Sequence, residues 1–327
     1  MVQGDSPQQP PGWETDDDTL VRLTDPEGGA AAWVAPGYGA NCVAFMVRTV
    51  GGWIDVLHNE GPQALAERPS RYGCAVLFPF PGHMQDFRYA WRGETLVIPR
   101  RGSTALSFTH GFAHTHAWRV TEIAPDRVIA TFATPDDLTP DERAGYPFAI
   151  RLTQTVALAG KTLRIGLHAT NTGAHAAPVG LGLHPYFAVA ALGEDRTQVR
   201  VDIPGRLERY VLALPVPTSE KRPVTTQTVT APPMGETALI ARTGLNRHER
   251  ATLTGPTGKR IIALTFIEGV REVVYFAPAD QPSLSVEPRS CASSATSRPE
   301  GDPDGLVPLE AGASLDMIVE IALTPQT

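Results

Sequence analysis

The chain has 327 residues and a formal net charge of −7, with 30 glycines, 30 prolines and only 19% charged residues. A net negative charge argues against nucleic acid or an anionic membrane as a partner, because both require a basic surface. Abundant turn-forming residues with few charges are typical of many short strands joined by tight turns.

The first 18 residues are polar and proline-rich, and they end in Asp16, Asp17 and Asp18. They lack the basic start and apolar centre of a secretion signal, so we predict a flexible tail over 1–18 and a single domain over 19–327. No apolar run approaches the roughly 20 residues that a membrane span requires. Three widely separated cysteines suggest neither a disulfide framework nor a zinc site, which favours a reducing, cytoplasmic location.

Alternation of apolar and polar residues predicts β-strands along the whole domain. The predicted strands, in chain order, are 19–24, 30–34, 43–50, 53–57, 127–134, 148–156, 163–168, 197–203, 251–254, 261–266, 273–276, 283–286 and 315–323. One helical turn is expected at 139–143, because threonine can cap it and proline suits its first position. The proline- and threonine-rich region 209–237 is expected to be a surface excursion. These elements predict an all-β fold, a large antiparallel β-sandwich with two sheets packed face to face.

A histidine before a proline marks the most informative stretch, residues 178–187. A residue in that position is held in extended geometry, so we expect the His184 imidazole at the end of a strand. Tyr186 and Phe187 follow it and can supply a flat wall for a ring-shaped ligand. A packed histidine at a strand end would give the same pattern without any function.

Three more histidines fall within seven residues near the middle of the chain. His110 precedes Gly111, a residue that lets backbone approach a ligand closely. His114 and His116 are two apart, which on a strand would place both on one face and could serve a metal. No acidic or thiol partner is evident nearby, so we predict no metal site.

Near the C-terminus, Glu287 precedes Pro288 and repeats the arrangement of a titratable group held extended at a strand end. An isolated Glu-Pro pair is usually a solvated strand end. Together with the histidines, however, it supplies a carboxylate and imidazoles, the groups that general acid and base catalysis uses near neutral pH.

These three stretches, in this order, resemble the signature of the aldose 1-epimerases, also called galactose mutarotases. The similar motifs are His110-Gly111 with Trp118, then Asn171 leading to His184-Pro185-Tyr186-Phe187, then Glu287-Pro288. The resemblance covers roughly residues 20–323. It implies a galactose mutarotase-like β-supersandwich and the cofactor-free interconversion of the α and β anomers of a free aldose.

The resemblance also implies roles for the three titratable groups. Glu287 is expected to be the general base, His184 the general acid and His110 a second histidine beside the ring oxygen. Mutarotation opens a hemiacetal, for which a base removes the proton of the C1 hydroxyl while an acid protonates the ring oxygen. We expect the carboxylate and the imidazoles on opposite sides of the sugar, across a gap one pyranose wide.

One part of the family pattern differs in this chain. Where most members have Asn-Arg, Gly82 and His83 stand here, and an imidazole cannot give the forked donors of a guanidinium. Either the sugar is held differently, or Arg71 or Arg88 replaces that arginine. The predicted substrate-binding residues are His83, Arg71, Tyr186, Trp118 and Asn246.

Two other functions are compatible with the sequence. A hexose-6-phosphate 1-epimerase of the same fold would need cations at the mouth of the pocket, for which Arg71, Arg100 and Arg101 are available. A non-catalytic sugar-binding module would not need an acid and a base together. In each case the expected partner is a small-molecule sugar, with no nucleic acid and no membrane, and the protein is a monomer or a homodimer.

Overall fold

The computed structural model describes residues 6–13, 20–100, 107–193, 195–213, 216–223, 228–236 and 238–325. Within these ranges the chain consists mainly of strands. The α-helices are α1 (Pro62–Glu67) and α2 (Pro140–Gly145), and the 3-10 helices are Pro36–Tyr38, Ala113–Thr115, Val189–Ala191, Arg196–Gln198 and Ala295–Ser297.

The strands alternate with short turns from one end of the described chain to the other. The first thirteen are β1 (Val21–Thr24), β2 (Ala30–Ala35), β3 (Asn41–Thr49), β4 (Gly52–Asp55), β5 (Cys74–Leu77), β6 (His83–Gln85), β7 (Arg88–Trp91), β8 (Glu94–Val97), β9 (Ser107–Thr109), β10 (Arg119–Ala124), β11 (Arg127–Thr134), β12 (Ile150–Ala159) and β13 (Thr162–Asn171). The next thirteen are β14 (Ala177–Val179), β15 (Gly182–Ala188), β16 (Arg200–Asp202), β17 (Arg206–Ala213), β18 (Val216–Pro223), β19 (Thr228–Thr230), β20 (Ala238–Thr243), β21 (Arg250–Thr254), β22 (Arg260–Glu268), β23 (Glu272–Ala277), β24 (Ser283–Arg289), β25 (Val307–Leu309) and β26 (Ser314–Pro325).

Two large antiparallel sheets dominate the fold. The first has the order β1-β2-β3-β5-β15-β24-β23-β20-β17-β18, with β4 also paired to β3, and the second has the order β10-β11-β12-β13-β26-β22-β21-β16-β19. One hydrophobic core takes side chains from both sheets, such as Phe45 of β3 and Leu152 of β12. The predicted all-β antiparallel fold is therefore confirmed, and the first sheet brings β15 and β24 together although about 100 residues separate them.

The hairpin of β12 and β13 shows why alternation predicts this fold well. Its ladder runs from Ile150 opposite Asn171 to Ala159 opposite Thr162, and buried side chains alternate with less buried ones along both strands. Each buried leucine or isoleucine on the inner face contributes roughly 2 kcal/mol through the hydrophobic effect. His168 lies on the outer face, as the pattern predicted, and contacts Asp316 with 2.7 Å between Nδ1 and Oδ1.

The predicted helical turn is α2, and its start follows from local chemistry. The Thr139 hydroxyl accepts a hydrogen bond from the Glu142 amide at 3.4 Å, and the Glu142 carboxylate accepts one from the Thr139 amide at 3.0 Å. This reciprocal capping box satisfies amide groups that have no partner inside the helix.

Residues 209–237 differ from the surface excursion that their composition suggested. In the described part of this region, β17 and β18 pair with each other and extend the edge of the first sheet, and β19 pairs with β16 in the second. Threonine and valine favour strands, and prolines are tolerated where a strand edge needs no donor. The described residues of this region therefore belong to the two sheets, and the prediction of a surface excursion is wrong.

The predicted N-terminal tail is only partly described, because residues 1–5 and 14–19 lie outside the described residues. In the segment 6–13, Trp13 is buried and its ring meets that of Tyr38 edge-on, with 5.4 Å between centroids. Apolar burial therefore holds this segment against the domain, which corrects the prediction of a flexible tail for it.

The helices and the cysteines can also be compared with what the sequence predicted. No helix within the described ranges has the length and apolar character needed to cross a membrane. Cys42, Cys74 and Cys291 are buried free thiols.

Candidate active site

His184 lies in the middle of β15, not at a strand end as predicted. The strand continues through Pro185 to Ala188, because a missing donor at one position does not prevent the extended geometry that proline favours. Its imidazole is buried and stacks on the Tyr186 ring, with 4.7 Å between centroids and 8° between planes. The hydroxyl oxygen of Ser285, on the neighbouring β24, lies 3.0 Å from His184 Nδ1. This contact fixes the orientation of the imidazole.

Glu287 likewise lies within β24, which continues to Arg289, so the predicted strand end is wrong here too. Because side chains alternate along a strand, Ser285, Glu287 and Arg289 share one face. The Glu287 carboxylate is only 2% exposed, and its Oε2 forms an ion pair with Arg289 Nη2. A buried carboxylate with a cationic partner is an unusual feature for a strand that serves packing alone.

The carboxylate and the imidazole are direct neighbours. Glu287 Oε1 lies 3.4 Å from His184 Nε2, since β15 and β24 are adjacent in the first sheet. The expectation that these two groups face each other across a gap one pyranose wide is therefore wrong. They form a pair on one wall instead.

His110 follows β9 and approaches the same pair from another direction. Its ring centroid lies 5.1 Å from that of His184, with the planes nearly perpendicular. The Gly82 amide donates to His110 Nδ1 at 3.3 Å, so the neutral ring carries its hydrogen on Nε2 and can act as a donor there.

Gly111 makes the position of His110 possible. Its φ is +75°, and a Cβ at this position would lie 2.0 Å from the carbonyl oxygen of Phe78. Only glycine fits here, because this φ is unfavourable for other residues and the backbone of Phe78 occupies the space. The glycine of the His-Gly motif is thus needed for packing as well as for its conformation.

We expect Gly111→Ala to destabilise the fold more than Gly312→Ala. Gly312 has nearly the same φ, +74°, but an added Cβ there meets nothing within 4 Å. The control should therefore lose only about 1 kcal/mol from backbone strain, whereas Gly111→Ala should lose about 2 kcal/mol more from overpacking. Urea denaturation measures both values, and equal losses would contradict the packing role.

His83 and Arg71 complete the polar walls of the site. His83 begins β6 and pairs across to Thr109 of β9, and its ring lies 6.0 Å from that of His110. The Arg71 guanidinium lies 5.4 Å above the centroid of the Phe276 ring. Its Nη1 is buried, and the guanidinium also interacts with the Tyr186 hydroxyl, so the two groups form one polar patch on the wall of the site.

These side chains surround a cavity of about 410 Å³. Its lining comprises Ser70, Arg71, His83, Thr109, His110, His184, Tyr186, Leu239, Val274, Phe276, Glu287, Arg289 and Ser293. The volume falls in the range typical of small-molecule sites, and apolar side chains with a few converging polar groups are the usual lining. A larger cavity of about 850 Å³, which includes Lys259 and Arg260, has no carboxylate among its described lining residues, so volume alone does not identify the site.

Burial shifts the titration of every ionisable group at the centre. It raises the pKa of the Glu287 carboxyl, an effect that the Arg289 charge partly opposes. It lowers the pKa of His184 and of His110 well below the ordinary value, and the charge of Arg289 adds to this at His184. Burial and the charge of Arg289 lower the pKa of His83 to about 4. The imidazoles of the free protein are therefore neutral at neutral pH.

Acid should destabilise the fold through these histidines. Between pH 6.5 and 4 an unfolded His83 binds a proton that the folded one does not, so the free energy of unfolding falls with pH. Since His83 keeps some exposure to the cavity, it contributes at most about 2 kcal/mol to the fall in the free energy of unfolding between pH 7 and pH 5. The lowered pKa values of His184 and His110 act in the same direction, and the raised pKa of Glu287 acts against them.

Urea denaturation at pH 7 and pH 5 measures this effect, with His83→Gln as the comparison. The variant cannot take up a proton, so its stability should fall less than that of the unaltered protein. Identical losses in the two proteins would contradict a neutral, buried His83.

Two predicted binding residues and one alternative arginine lie away from the cavity. Trp118 is buried, donates from Nε1 to the Ala113 carbonyl at 2.9 Å and stacks on Phe132 of the second sheet, so it belongs to the core. Asn246 is exposed and donates to Glu249 Oε1 at 2.8 Å. Arg88 is also exposed, and none of these three residues lines the cavity. Of the predicted binding residues, the cavity brings together His83, Arg71 and Tyr186.

The sequence reasoning missed Arg289, Ser293 and the apolar residues of β20 and β23 that line the cavity. Arg289 had a recognisable signal, because it stands two residues after Glu287 and a strand puts such residues on one face. Leu239, Val274 and Phe276 had none, because only the order of the strands brings them beside β24.

The two histidines considered for a metal have separate surroundings. The segment Ala113–Thr115 is a 3-10 helix and not a strand, and His116 Nε2 pairs with Glu142 Oε2 at 2.9 Å. Within the described part of the chain, no group of three or more His, Cys, Asp or Glu side chains is arranged to hold a metal ion.

Known proteins share both the sequence pattern and the fold. A family model described as aldose 1-epimerase matches residues 20–299. The Escherichia coli K12 protein YihR is 27% identical over 144 residues, which cover 42% of this chain and 45% of YihR. The match thus spans less than half the length of that curated relative.

Solved structures agree over nearly the full length. A galactose mutarotase-like protein from Clostridium acetobutylicum superposes with a TM-score of 0.80 at 17% identity, covering 94% of this chain and 95% of the other. A GalM/aldose epimerase homologue from C. elegans gives a TM-score of 0.77 at 14% identity, covering 94% and 99%. At these identities the likeness establishes the fold, a galactose mutarotase-like β-sandwich. Because the family model also matches most of the chain, the protein belongs to the aldose 1-epimerase family.

Proposed function

We propose that the protein interconverts the α and β anomers of a free aldose by opening and reclosing the sugar ring. The observation that carries the proposal is the pair of Glu287 Oε1 and His184 Nε2, which are 3.4 Å apart on the wall of a cavity of about 410 Å³. A buried carboxylate beside a buried imidazole is the combination that acid and base catalysis of this reaction requires.

The adjacency of the two groups suits the chemistry. The C1 hydroxyl oxygen and the ring oxygen are bonded to the same carbon, so a base for one and an acid for the other can be neighbours on one wall. Glu287 removes the hydroxyl proton, the bond between C1 and the ring oxygen breaks, and His184 protonates the ring oxygen. After rotation about the bond from C1 to C2, the ring hydroxyl attacks the carbonyl carbon and both proton transfers reverse.

The proton count of the pair is the same before and after each step. Because His184 is neutral in the free protein, its imidazole must take up a proton from solvent as the sugar binds. Ring opening passes that proton to the ring oxygen, leaves His184 neutral again and leaves the C1 hydroxyl proton on Glu287. Burial raises the pKa of Glu287 and lowers that of His184, which favours the neutral arrangement of the pair. The same shift makes the protonated imidazole a stronger acid toward the weakly basic ring oxygen.

Other cavity residues can hold the sugar. His110 can donate from Nε2 to the ring oxygen or to a hydroxyl group. The buried Arg71 guanidinium and the buried Tyr186 hydroxyl interact with each other, and hydroxyl groups of a sugar can supply further partners for both. The apolar face of the ring can lie against Phe276, which also lines the cavity.

Of the arginines considered for a phosphorylated sugar, only Arg71 lines the cavity. Arg100 lies over the Phe87 ring, and Arg101 lies outside the described residues. Arg71 also has Asp280 3.7 Å away, and the other arginine of the cavity, Arg289, is paired with Glu287, so both charges are partly offset. A phosphate group usually needs more cationic donors than this, so a neutral aldose fits better.

Polarimetry on freshly dissolved α-D-glucose and α-D-galactose tests the proposal. The protein should bring the optical rotation to its equilibrium value faster than buffer alone. Glucose 6-phosphate in the same assay tests the phosphorylated alternative. Unchanged rates for every free aldose tried, pentoses included, would contradict the proposed function.

A further inference from the structure

Arg289 is the most strongly anchored cation of the cavity. Its guanidinium is buried, with Nη2 paired to Glu287 Oε2 and Nη1 donating to the Ser293 hydroxyl oxygen. Ser293 in turn donates from its amide at 2.8 Å and from its hydroxyl at 2.9 Å to Glu272 Oε1. A continuous polar chain therefore holds the guanidinium from the side opposite Glu287.

Gly82 supplies the space for this arginine. A Cβ at position 82 would lie 2.9 Å from Arg289 Nη1 and 2.4 Å from the Ser293 carbonyl oxygen, and the φ of Gly82 is +105°. Any larger side chain there would displace the guanidinium or the backbone beside it. The glycine that breaks the family pattern is thus sterically coupled to the arginine on β24.

The ion pair divides the two oxygens of the Glu287 carboxylate between two partners. Oε2 is held by Arg289, and Oε1 is the oxygen that lies 3.4 Å from His184 Nε2. A carboxylate fixed at one oxygen cannot rotate freely, so the other oxygen keeps a constant direction.

We propose that Arg289 is a positioning residue, which fills the space left open at Gly82 and holds Glu287 so that Oε1 faces His184. The inference rests on the proposed function of the Glu287 and His184 pair. Arg289 then acts through Glu287, and the sugar need not contact it.

The charge of Arg289 also acts on the groups around the carboxylate. Several ionisable groups influence Glu287 or lie beside it: Arg289 on its own strand, His184 on β15, His83 on β6, Arg71 beyond α1 and His110 after β9. A further carboxylate, Glu272 on β23, lies on the far side of Ser293. The positive charge lowers the pKa of His83, His110 and His184, and it lowers the pKa of Glu287 against the effect of burial. Removing it should therefore raise all four pKa values.

Titration by NMR tests this without any assumption about activity. Imidazole nitrogen shifts of His184 and His83 and the carboxyl shift of Glu287 are followed with pH in the unaltered protein, Arg289→Met and Arg289→Lys. Arg289→Met should raise the midpoints of all three groups, and Arg289→Lys, which keeps the charge, should leave them close to the unaltered values. Arg164→Met is the control, because Arg164 pairs with Glu320 on the second sheet. Midpoints that stay unchanged in folded Arg289→Met would overturn the proposal.

Kinetics add a readout of geometry. Arg289→Met should lower kcat for an aldose by about 10-fold to 100-fold, since small displacements of a catalytic group cost this much. Arg289→Lys lacks the planar fork of a guanidinium, so its kcat should lie between those of Arg289→Met and the unaltered protein. If Arg289→Met does not fold, the lysine variant decides, and a kcat equal to that of the unaltered protein would overturn the positioning role. Absence of all aldose turnover in the unaltered protein would count against the proposed function, whereas the NMR titration would still test the placement of Arg289.

Discussion

Replacing Glu287 with glutamine is expected to lower turnover by at least about 100-fold. An amide keeps the shape of the carboxylate but cannot accept the proton of the C1 hydroxyl, and a positioned base contributes about 100-fold to 10,000-fold. Glu287 Oε1 already lies beside His184 Nε2, so the loss should appear in kcat and not only in substrate binding. Single-turnover or steady-state polarimetry with an aldose substrate measures it.

The same variant should also lose stability. Glutamine would leave the buried Arg289 without its nearest counter-charge, and breaking a buried ion pair from one side costs about 3–5 kcal/mol. The double variant Glu287→Gln with Arg289→Met removes the buried guanidinium charge as well, so it should recover part of the stability but none of the turnover.

A matched control separates catalysis from a general effect of losing a carboxylate. Glu320→Gln removes a partly exposed partner of Arg164 on β26, at 2.6 Å, and should cost less than about 1 kcal/mol with no change in turnover. Assays are made below the unfolding temperature of each variant. Full activity of folded Glu287→Gln would show that another group is the base.

Replacing His184 with asparagine is expected to lower turnover by about 100-fold or more. The shorter amide can still approach Ser285 from the position of Nδ1, but it has no group at the position of Nε2, which faces Glu287. Since His184 is neutral in the free protein, the substitution removes no buried charge. The stability cost should stay near 1 kcal/mol for the weakened hydrogen bond, plus the lost stacking on Tyr186.

His168→Asn serves as the comparison for that variant. His168 is exposed on β13 of the second sheet, contacts Asp316 and Thr170, and does not line the cavity. Its loss should leave kcat unchanged. If His168→Asn and His184→Asn lowered turnover equally, the assignment of the acid to His184 would fail.

Local pattern was enough to predict much of the fold. The hairpin of β12 and β13 and the capped helix α2 follow from alternation and from side-chain chemistry within a few residues. The strand order does not, because β15 pairs with β5 and β24 through contacts between distant segments. No periodicity in the sequence encodes which strands become neighbours.

Proline misled the local prediction at both key positions. Pro185 and Pro288 were expected to end strands, yet both strands continue, because proline adopts the extended geometry and loses only one donor of the ladder. His184 and Glu287 are consequently buried within the sheet. Their burial, which could not be read from the motifs, is the cause of their shifted pKa values.

Two other differences between the predicted and the observed site also come from packing that the motifs do not encode. Trp118 belongs to the motif but faces Phe132 of the second sheet, so a residue near the signature in sequence lies in the core. Arg289 lies outside the motif but joins the site, because the glycine at position 82 leaves room for it. Motifs predicted which residue types belong to the site, and packing determined which side chains line the cavity.

NMR saturation transfer measures at equilibrium the proposed exchange of the two anomers of a sugar in this cavity. The H1 signal of the β anomer of an aldose is saturated, and the loss of the α signal is recorded with the unaltered protein and with Glu287→Gln. We expect clear transfer with the unaltered protein and at least about 100-fold slower exchange with the variant. No transfer with any hexose or pentose, or equal transfer with both proteins, would contradict it.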